Sequence, residues 1–344
     1  MALSVSRKPH LAKKIVMVGG QAGCGKTLFS RLISTLERVE LPTYSYEIEH
    51  YCSLNFLQKL SLNTASTLIR MQTDLKLYHT MMGREVNFRP TDLSSVQMFH
   101  SPTQYFERLF QPGDEVIPDV ISKKNPILNL IIHNVLFISD PVWKALGDRC
   151  IFIEVVRHPL YMVRQQTLNM QRLINDVRDF SINYERGEKS YPYWAEGWED
   201  LFDQSSDAER SVHYIDQSTQ RIEKAKKVLR EKYKANILTI PFEQFVLDPE
   251  PWVEKIATSI GTKITENTRK VMFQQKVPRE KIAQGLDLQV YRRCGWVPPK
   301  EGASEREELM IRRKDVELDS SVSSLKVLDR LCDDYEKKHW KPKE

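Results

Sequence analysis

The sequence predicts an α/β fold in which a central parallel sheet lies between two layers of helices. Two continuous apolar runs, at residues 127–132 and 150–156, are typical of strands that are buried on both faces. A β-branched run at residues 15–18 ends at two glycines, and apolar residues at helical spacing follow it at 27–36. Because strands and helices alternate along the chain, we expect a three-layer α/β/α sandwich with helical insertions.

The remaining elements follow from the same patterns. An extended stretch at residues 42–48 precedes a helical pattern at 54–82, and Glu47 and Glu49 are expected on one face of that strand. Residues 83–126 contain several prolines and glycines, which predict turns. The other predicted elements are a short helix near 103–110, helices at 141–146 and 219–233, a strand at 236–240, and a helix that Asp248 caps and that ends near Gly261.

The chain of 344 residues is expected to form one domain, residues 1–344, with two insertions. The first insertion is residues 83–126, and the second is residues 166–215, which are polar and rich in Tyr and Trp. The segment 300–344 is highly charged and becomes periodic from Val322 onward. This pattern predicts a mobile stretch that is followed by a final helix packed on the domain.

Composition and charge narrow the class of protein. The chain is 41% hydrophobic and 28% charged, with a net charge of +5 in mixed-sign stretches, which favours anionic small molecules over nucleic acid as partners. The five cysteines are far apart, which is typical of a reducing compartment. The longest apolar stretch, residues 127–138, falls short of the about 20 residues of a transmembrane helix. Residues 1–14 do not resemble a signal peptide, so the predicted location is the cytoplasm.

A complete G-x4-G-K-S/T pattern lies between the first strand and the first helix. Its glycines allow successive backbone N–H groups to turn toward an oxyanion, and the helix N-terminus adds partial positive charge. Lys26 is expected to act in catalysis by neutralising charge on the transferring group, and Thr27 offers a hydroxyl to a phosphate or to Mg²⁺. The predicted fold is therefore P-loop NTPase-like. The predicted nucleotide-binding residues of the loop are Gly20, Gln21, Ala22, Gly23, Cys24, Gly25, Lys26 and Thr27.

Residues 152–163 resemble the segment of P-loop sulfotransferases in which a strand ends in R-x-P and opens a helix. The resemblance implies that Arg157 binds the 3′-phosphate of the co-substrate 3′-phosphoadenosine 5′-phosphosulfate. Pro159 suits the first turn of the helix, and a guanidinium at the helix N-terminus suits an anion. Residues 240–249 are similar to a second segment of the family, a strand followed by a turn, Asp-Pro and a helix.

Two candidate bases follow from the same resemblance. Residues 128–134 fall where cytosolic sulfotransferases carry a strand that ends in Lys-x-His, so His133 matches the base, whereas Ile131 stands in place of the Lys. Carbohydrate sulfotransferases of the heparan type place a Glu after the second strand, which here matches Glu49 or Glu47. An imidazole or a carboxylate could remove the proton of a hydroxyl or an amine, and the choice stays open.

Residues 291–296 are similar to the basic loop that closes over the nucleotide in this family. Arg292 and Arg293 are expected at the 3′-phosphate, and Trp296 near the adenine. The sequence also departs from the family: Gly23 stands where a Lys or Arg is usual, Lys26 stands where a Ser or Thr is usual, and Gln165 stands where a Ser makes a second 3′-phosphate contact. The amide of Gln165 can still donate to that phosphate.

The leading prediction is a sulfotransferase, without a metal, that modifies a hydroxyl or amine of a small molecule, a glycan or a lipid head. The acceptor is expected between residues 83–118 and 184–198. A small-molecule or nucleotide kinase using ATP and Mg²⁺ is the alternative, with Arg157, Arg164 and Arg172 on one helical face. Against it, neither Asp140 nor Glu154 ends a strand in the position that Mg²⁺ requires. A catalytically inactive nucleotide-binding protein is the third interpretation.

Overall fold

Five parallel strands form the central sheet of the computed structural model, which describes residues 3–90, 92, 94–174, 176–285 and 303–343. The order across the sheet is β2-β3-β1-β4-β7, and each neighbouring pair is parallel. The predicted parallel sheet is confirmed. The strands are β1 (Ile15–Gly19), β2 (Val39–Tyr44), β3 (Ile127–Ile131), β4 (Cys150–Val156) and β7 (Asn236–Pro241), while β5 (Asn183–Arg186) and β6 (Lys189–Pro192) form a separate hairpin.

Helices connect the strands and cover the sheet. Within the described residues, none of them combines the length and the apolar composition that crossing a membrane requires. The helices are α1 (Lys26–Ile33), α2 (Tyr46–Phe56), α3 (Leu62–Met81), α4 (Thr103–Arg108), α5 (Ile117–Lys124), α6 (Asp140–Leu146), α7 (Pro159–Arg172), α8 (Glu199–Gln204), α9 (Asp207–Tyr233), α10 (Phe242–Leu247), α11 (Glu250–Ile260), α12 (Glu266–Gln274), α13 (Glu305–Glu317) and α14 (Val322–Lys338).

Both faces of the sheet are buried, which confirms the three-layer arrangement. Along β1, Val16 and Val18 belong to a core with α1, α7, α10 and α11. Ile15 and Met17, which point to the opposite face, belong to a second core with α2, α3 and α6. A strand that is apolar on both faces is stable only between two layers of helices, as the apolar runs predict.

The strand predicted at residues 42–48 is wrong in its second half. Strand β2 ends at Tyr44 and α2 begins at Tyr46, so Glu47 and Glu49 lie on a helix and not on one face of a strand. Both carboxylates lie in the first turn of α2, where they interact favourably with the partial positive charge of the helix N-terminus.

The long helix predicted at 54–82 is two helices. Helix α2 ends at Phe56, Gln58 adopts a left-handed conformation with φ of 57°, and α3 begins at Leu62. The hydroxyl of Ser61 caps α3 by accepting a hydrogen bond from the amide of Thr64. A capping serine and a positive φ therefore interrupt a sequence whose composition is helical throughout.

The first predicted insertion packs on the edge of the sheet. It contains α4 and α5, and Arg108 of α4 makes a bidentate ion pair with Glu40 of β2, at 2.8 and 2.9 Å. The hydroxyl of Tyr105 also donates to Glu40, at 2.8 Å. All three side chains are buried, so this insertion covers the edge strand with satisfied charges.

The second predicted insertion begins inside α7 and ends inside α9, with the β5–β6 hairpin and α8 between them. The C-terminal segment differs from the prediction of a mobile stretch, because α13 occupies Glu305–Glu317. A capping box of Ser304 and Glu307 begins this helix, and its buried residues include Leu309 and Val316. Its buried face also holds charged residues, Glu305 and the ion pair of Glu308 with Arg312. Helix α14 lies where the periodicity predicts the final helix.

Glu209 joins the start of α9 to the start of α14. Its carboxylate completes a capping box with Ser206 and accepts hydrogen bonds from the amide of Ser321, at 2.8 Å, and from the hydroxyl of Ser324, at 3.1 Å. Burial raises the pKa of Glu209, but the hydrogen bonds from Ser321, Ser206 and Ser324 outweigh burial and lower this pKa to about 2.

We expect Glu209→Gln to lower the unfolding temperature at pH 7. Since the pKa of Glu209 is lower in the folded state, its stabilisation is present above the ordinary value of 4.5 and is lost as the pH falls toward 2. The difference in unfolding temperature between the original protein and Glu209→Gln should therefore become smaller below pH 4.5. Thermal unfolding followed by circular dichroism measures this difference. A difference that is constant from pH 7 down to the acid limit would contradict this role of the ionised carboxylate.

Candidate functional site

The glycine loop, Gly20–Thr27, connects β1 to α1, and its last two residues begin α1, which confirms the context that the sequence predicts for it. Gly20 and Gly25 have positive φ values of 152° and 97°. A Cβ atom on Gly20 would lie 2.6 Å from the carbonyl oxygen of Val155, and one on Gly25 would lie 2.4 Å from the ring of Phe242. The loop is therefore pressed against β4 and α10, and only glycine fits at these two positions.

The side chains of Lys26 and Thr27, the last two residues of the loop, are both hydrogen-bonded. Lys26 is buried, and its ammonium donates to the carbonyl of Gly20 at 3.3 Å, so its charge lies across the loop. The side chain of Thr27 hydrogen-bonds with the hydroxyl of Tyr44, whose pKa is raised by burial. Burial also raises the pKa of the Cys24 thiol, so this cysteine is a packing residue and not a nucleophile.

Neighbouring helices hold the first residues of the loop. The amide of Gln21 donates to the hydroxyl of Thr219 in α9, at 3.2 Å. The carbonyl of Ala22 accepts a hydrogen bond from the side chain of Gln166 in α7, at 3.2 Å. The loop is thus held by α9 and α7 as well as by β4 and α10, which favours a pre-formed anion site.

Arg157 lies at the end of β4 and binds the glycine loop directly. Its guanidinium donates to the carbonyl of Gly23 at 2.9 Å and lies 4.0 Å from the carboxylate of Glu243. The guanidinium also stacks 4.2 Å from the centre of the Phe242 ring and 4.9 Å from that of Tyr161. With 4% of its surface exposed, Arg157 supports the loop, and its contact with a 3′-phosphate stays a prediction.

Gln165 lies beside the same part of the loop. Its side-chain oxygen is 3.4 Å from the position that a Cβ atom would occupy on Gly23. The structure thus brings Gly23, Arg157 and Gln165 together, and the binding of a 3′-phosphate by Arg157 and Gln165 stays a prediction. The predicted contacts Arg292 and Arg293, together with Trp296, lie outside the described residues.

The two candidate bases, Glu49 and His133, are hydrogen-bonded to each other. The carboxylate of Glu49 accepts from the backbone amide of His133 and pairs with its Nδ1, both at 2.8 Å. A carboxylate is an acceptor, so it holds the neutral imidazole in the tautomer with the proton on Nδ1 and the lone pair on Nε2. Glu49 is mostly buried, whereas 37% of the His133 side chain is exposed. Glu47 instead pairs with Lys76 at 3.2 Å.

Aromatic rings flank His133, which the sequence analysis missed. The ring centres of Tyr44 and Tyr46 lie 6.0 and 5.4 Å from that of the imidazole, and Phe180 from the second insertion contacts Tyr46 edge-on at 5.8 Å. Residues at and after the end of a strand line the carboxyl edge of a parallel sheet. The position of Tyr44 at the end of β2, and of Tyr46 just after it, was therefore the available signal.

Two cavities meet at His133 and Asn134. The inner cavity, of about 300 Å³, is lined by β4, α9 and α14 together with Gly20 and Gln21 of the loop and Arg157. The outer cavity, of about 190 Å³, is lined by Ala22 of the loop, by α2 and by the second insertion. Trp194 of the predicted acceptor region 184–198 lines the outer cavity. Of the described residues of 83–118, five line a third cavity beside β2, which Tyr44 also lines: Glu85, Val86, Asn87, Ser94 and Tyr105.

Two acidic residues considered for a metal are bound by lysines. Glu154 accepts from Lys226 at 2.8 Å, and both side chains are buried. Asp140 accepts from Lys232 at 2.9 Å and from the hydroxyl of Tyr233 at 3.0 Å. Across the part of the chain that is described, no cluster of three or more His, Cys, Asp or Glu side chains is arranged to hold a metal ion. The side chains of Arg164 and Arg172 on α7 are exposed.

Comparisons with known proteins find likeness in solved structures alone. No family model matches the sequence, and no curated protein matches it. The sulfotransferase domain of a Synechococcus olefin synthase is 14% identical over 91% of this chain and 98% of its own, with a TM-score of 0.41. The sulfotransferase domain from the curacin biosynthetic pathway is 12% identical over 94% of this chain and 98% of its own, with a TM-score of 0.45. A Mycobacterium avium sulfotransferase is 12% identical over 96% of this chain and 77% of its own, with a TM-score of 0.43. Likeness at this level does not transfer an activity.

We expect Gly25→Ala to lower the free energy of unfolding by about 2 kcal/mol, because the added methyl group is strained at positive φ and meets the Phe242 ring. Gly113→Ala is the matched control, since a Cβ atom there has no neighbour within 4 Å. Urea unfolding at equilibrium measures both changes. Equal stability of the two variants would contradict the tight packing of the loop on α10.

Proposed function

We propose that this protein is a sulfotransferase that moves a sulfuryl group from 3′-phosphoadenosine 5′-phosphosulfate to a hydroxyl or amine. The observation that carries the proposal is the Glu49–His133 pair, which lies at the same sheet edge as the glycine loop. A neutral imidazole oriented by a carboxylate is a suitable general base, and a loop with a lysine and a helix N-terminus is a suitable anion site.

The alternative, a kinase that uses ATP and Mg²⁺, has less support. Phosphoryl transfer from ATP depends on a carboxylate that helps to hold the metal. The acidic side chains considered for that role, Glu154 and Asp140, are each paired with a lysine. The carboxylate of Glu49, on α2, is hydrogen-bonded to His133, which follows β3. This contact suits proton transfer better than metal binding.

His133 performs the proton transfer in this proposal. Nδ1 of His133 donates to Glu49, so the lone pair on Nε2 is available. It accepts the proton of the acceptor hydroxyl or amine as the oxygen or nitrogen of that group attacks the sulfur. The new bond joins sulfur to the acceptor atom, and the bond between sulfur and the bridging phosphate oxygen breaks. Glu49 stabilises the imidazolium that results without taking its proton.

Lys26 and the loop amides act on the leaving group. Negative charge develops on the bridging phosphate oxygen as the bond to sulfur breaks, and a nearby ammonium stabilises it. The ammonium of Lys26 rests on the carbonyl of Gly20 and would exchange that contact for the phosphate oxygen. Arg157 keeps the carbonyl of Gly23 turned away from the anion, which leaves N–H groups to face it.

We expect His133→Ala to lower kcat by about 100-fold or more, because general-base catalysis contributes this much. Glu49→Gln should lower kcat by about tenfold or more through loss of the fixed tautomer, with unchanged nucleotide affinity. Glu47→Gln is the matched control and should leave kcat unchanged, since Glu47 faces Lys76. Steady-state kinetics with a phenol and an alcohol as acceptors measure these effects. A larger loss in Glu47→Gln than in Glu49→Gln would reject the assignment of the base.

Calorimetric titration tests the donor. We expect 3′-phosphoadenosine 5′-phosphate to bind without a metal and more tightly than ADP with Mg²⁺, and Lys26→Ala to weaken it. Preference for ADP with Mg²⁺ would favour the kinase, and tight binding without turnover of any acceptor would favour an inactive nucleotide-binding protein.

Comparison with the nucleotide that lacks the 3′-phosphate separates the two roles of Arg157. If Arg157 binds the 3′-phosphate, as the sequence predicts, Arg157→Ala removes the preference for the 3′-phosphorylated nucleotide. Equal weakening of both nucleotides would assign to Arg157 the support of Gly23 alone.

A further inference from the structure

Aromatic side chains form much of the wall of the outer cavity. Tyr193, Trp194 and Tyr214 line it from the second insertion, and Tyr46 lines it from α2. The hydroxyl of Tyr193 donates to the backbone carbonyl of Asn134 at 3.2 Å, so the polar end of this side chain is bound by the protein. Aromatic rings offer apolar faces, against which the C–H face of a ligand ring packs.

Two amide side chains of α7, Gln166 and Asn169, line the outer cavity and not the inner one. The nitrogen of Gln166 donates to the carbonyl of Ala22 at 3.2 Å, and because a carbonyl only accepts, this contact fixes which end of the amide faces the loop. The oxygen of Gln166 has no hydrogen-bond partner among the described residues and, unlike the enclosed side-chain oxygens of Gln21 and Asn134, it is accessible. Since Gln166 is only 3% exposed, this oxygen opens on the cavity that the residue lines.

The amide of Asn169 is also available to a ligand. Within the described part of the chain, its side chain makes no hydrogen bond. Gln166 and Asn169 are three residues apart, so they lie on the same face of α7. Polar groups in a cavity are costly without a partner, so the two amides indicate a ligand with hydrogen-bonding groups besides the one that reacts at His133.

The charged side chains that line the outer cavity are engaged with protein groups. Glu49 is hydrogen-bonded to the imidazole, as described above. Arg178 is paired with Asp176 at 2.6 Å, and the carboxylate of Asp179 accepts from the amide of Ser181 at 3.0 Å. Because these charges are already neutralised or hydrogen-bonded, the outer cavity is suited to a ligand without charge.

We propose that the outer cavity binds a neutral sugar as the acceptor, with hydroxyls at Gln166 and Asn169 and the reacting hydroxyl at His133. This inference deepens the proposed function and rests on it for the fate of that hydroxyl. A sugar ring has C–H faces and hydroxyl edges, which match the aromatic wall and the two amides. A simple phenol or an alkyl alcohol packs on the aromatic wall but leaves the amides without partners.

Titration of the full chain, followed by saturation-transfer difference NMR, tests the class of ligand. The probes are the methyl glycosides of glucose, galactose and mannose, the disaccharides cellobiose and lactose, phenol and octanol. At least one sugar should bind, and phenol and octanol should bind about tenfold more weakly than that sugar, because they leave the amides unpaired. Tighter binding of the disaccharides would assign the sugar to a longer glycan. Binding of no sugar, or tighter binding of phenol or octanol than of every sugar, would overturn the inference.

Substitutions in α7 locate the site. Asn169→Leu removes the amide at similar size and should weaken the sugar about tenfold, while phenol should change less than about twofold. Gln171→Leu makes a matching change on the exposed side of α7 and should affect neither ligand. Equal weakening of sugar and phenol by Asn169→Leu would contradict the role of the amide. Unfolding temperatures show that each variant is folded, and Asn169→Ala tests the same contact if leucine disrupts packing.

Separate titrations distinguish this inference from the proposed function. Sugar binding is measured without nucleotide, and 3′-phosphoadenosine 5′-phosphate is titrated without sugar. If the original protein does not bind the nucleotide, the proposed function fails, whereas the sugar titration still decides the ligand of the outer cavity. If the nucleotide binds and no sugar does, the inference fails and the proposed function stands with an acceptor of another class.

Discussion

The pairing of β1 between β3 and β4 is the constraint on which the rest of the structure depends. Parallel strands end at the same edge of a sheet, and the register pairs Val18 with Ile131 and Gly19 with Glu154. The residues that follow these three strands therefore meet: the glycine loop after β1, His133 after β3, and Arg157 after β4. A shift of β4 by one residue would turn Arg157 to the opposite face of the sheet, away from Gly23.

Buried polar groups then fix the loop at that edge. Glu243 is fully buried, accepts from the amide of His158 at 3.0 Å and from the hydroxyl of Tyr335, and lies beside Arg157. Such a carboxylate is tolerated because donors surround it. These contacts link α14 to the glycine loop through Tyr335, Glu243 and Arg157. The ring of Phe242 packs against Gly25 of the same loop.

The sequence was sufficient for the features that depend on local patterns. The apolar runs of β3 and β4 mark strands that are buried on both faces, and the G-x4-G-K-T pattern marks the turn into α1. The start of α2 was missed because Glu47 and Glu49 fit a strand face as well as a first helical turn. The Glu49–His133 contact joins residues 84 positions apart, and no local pattern predicts which of two carboxylates turns toward the imidazole. The role of α13 was hidden by its charge, since its buried face holds Glu305, Glu308 and Arg312 beside only two apolar residues.

The contacts that hold the glycine loop have a consequence for the order in which the protein can mature. During synthesis the loop is made before its partner Arg157, which follows 134 residues after Gly23, and Tyr335 follows 92 residues after Glu243. Contacts between segments so distant in the chain form slowly, because long connecting loops must close first. The glycine loop is therefore made well before the segments that hold it in place, and it is among the last parts of the site to be fixed.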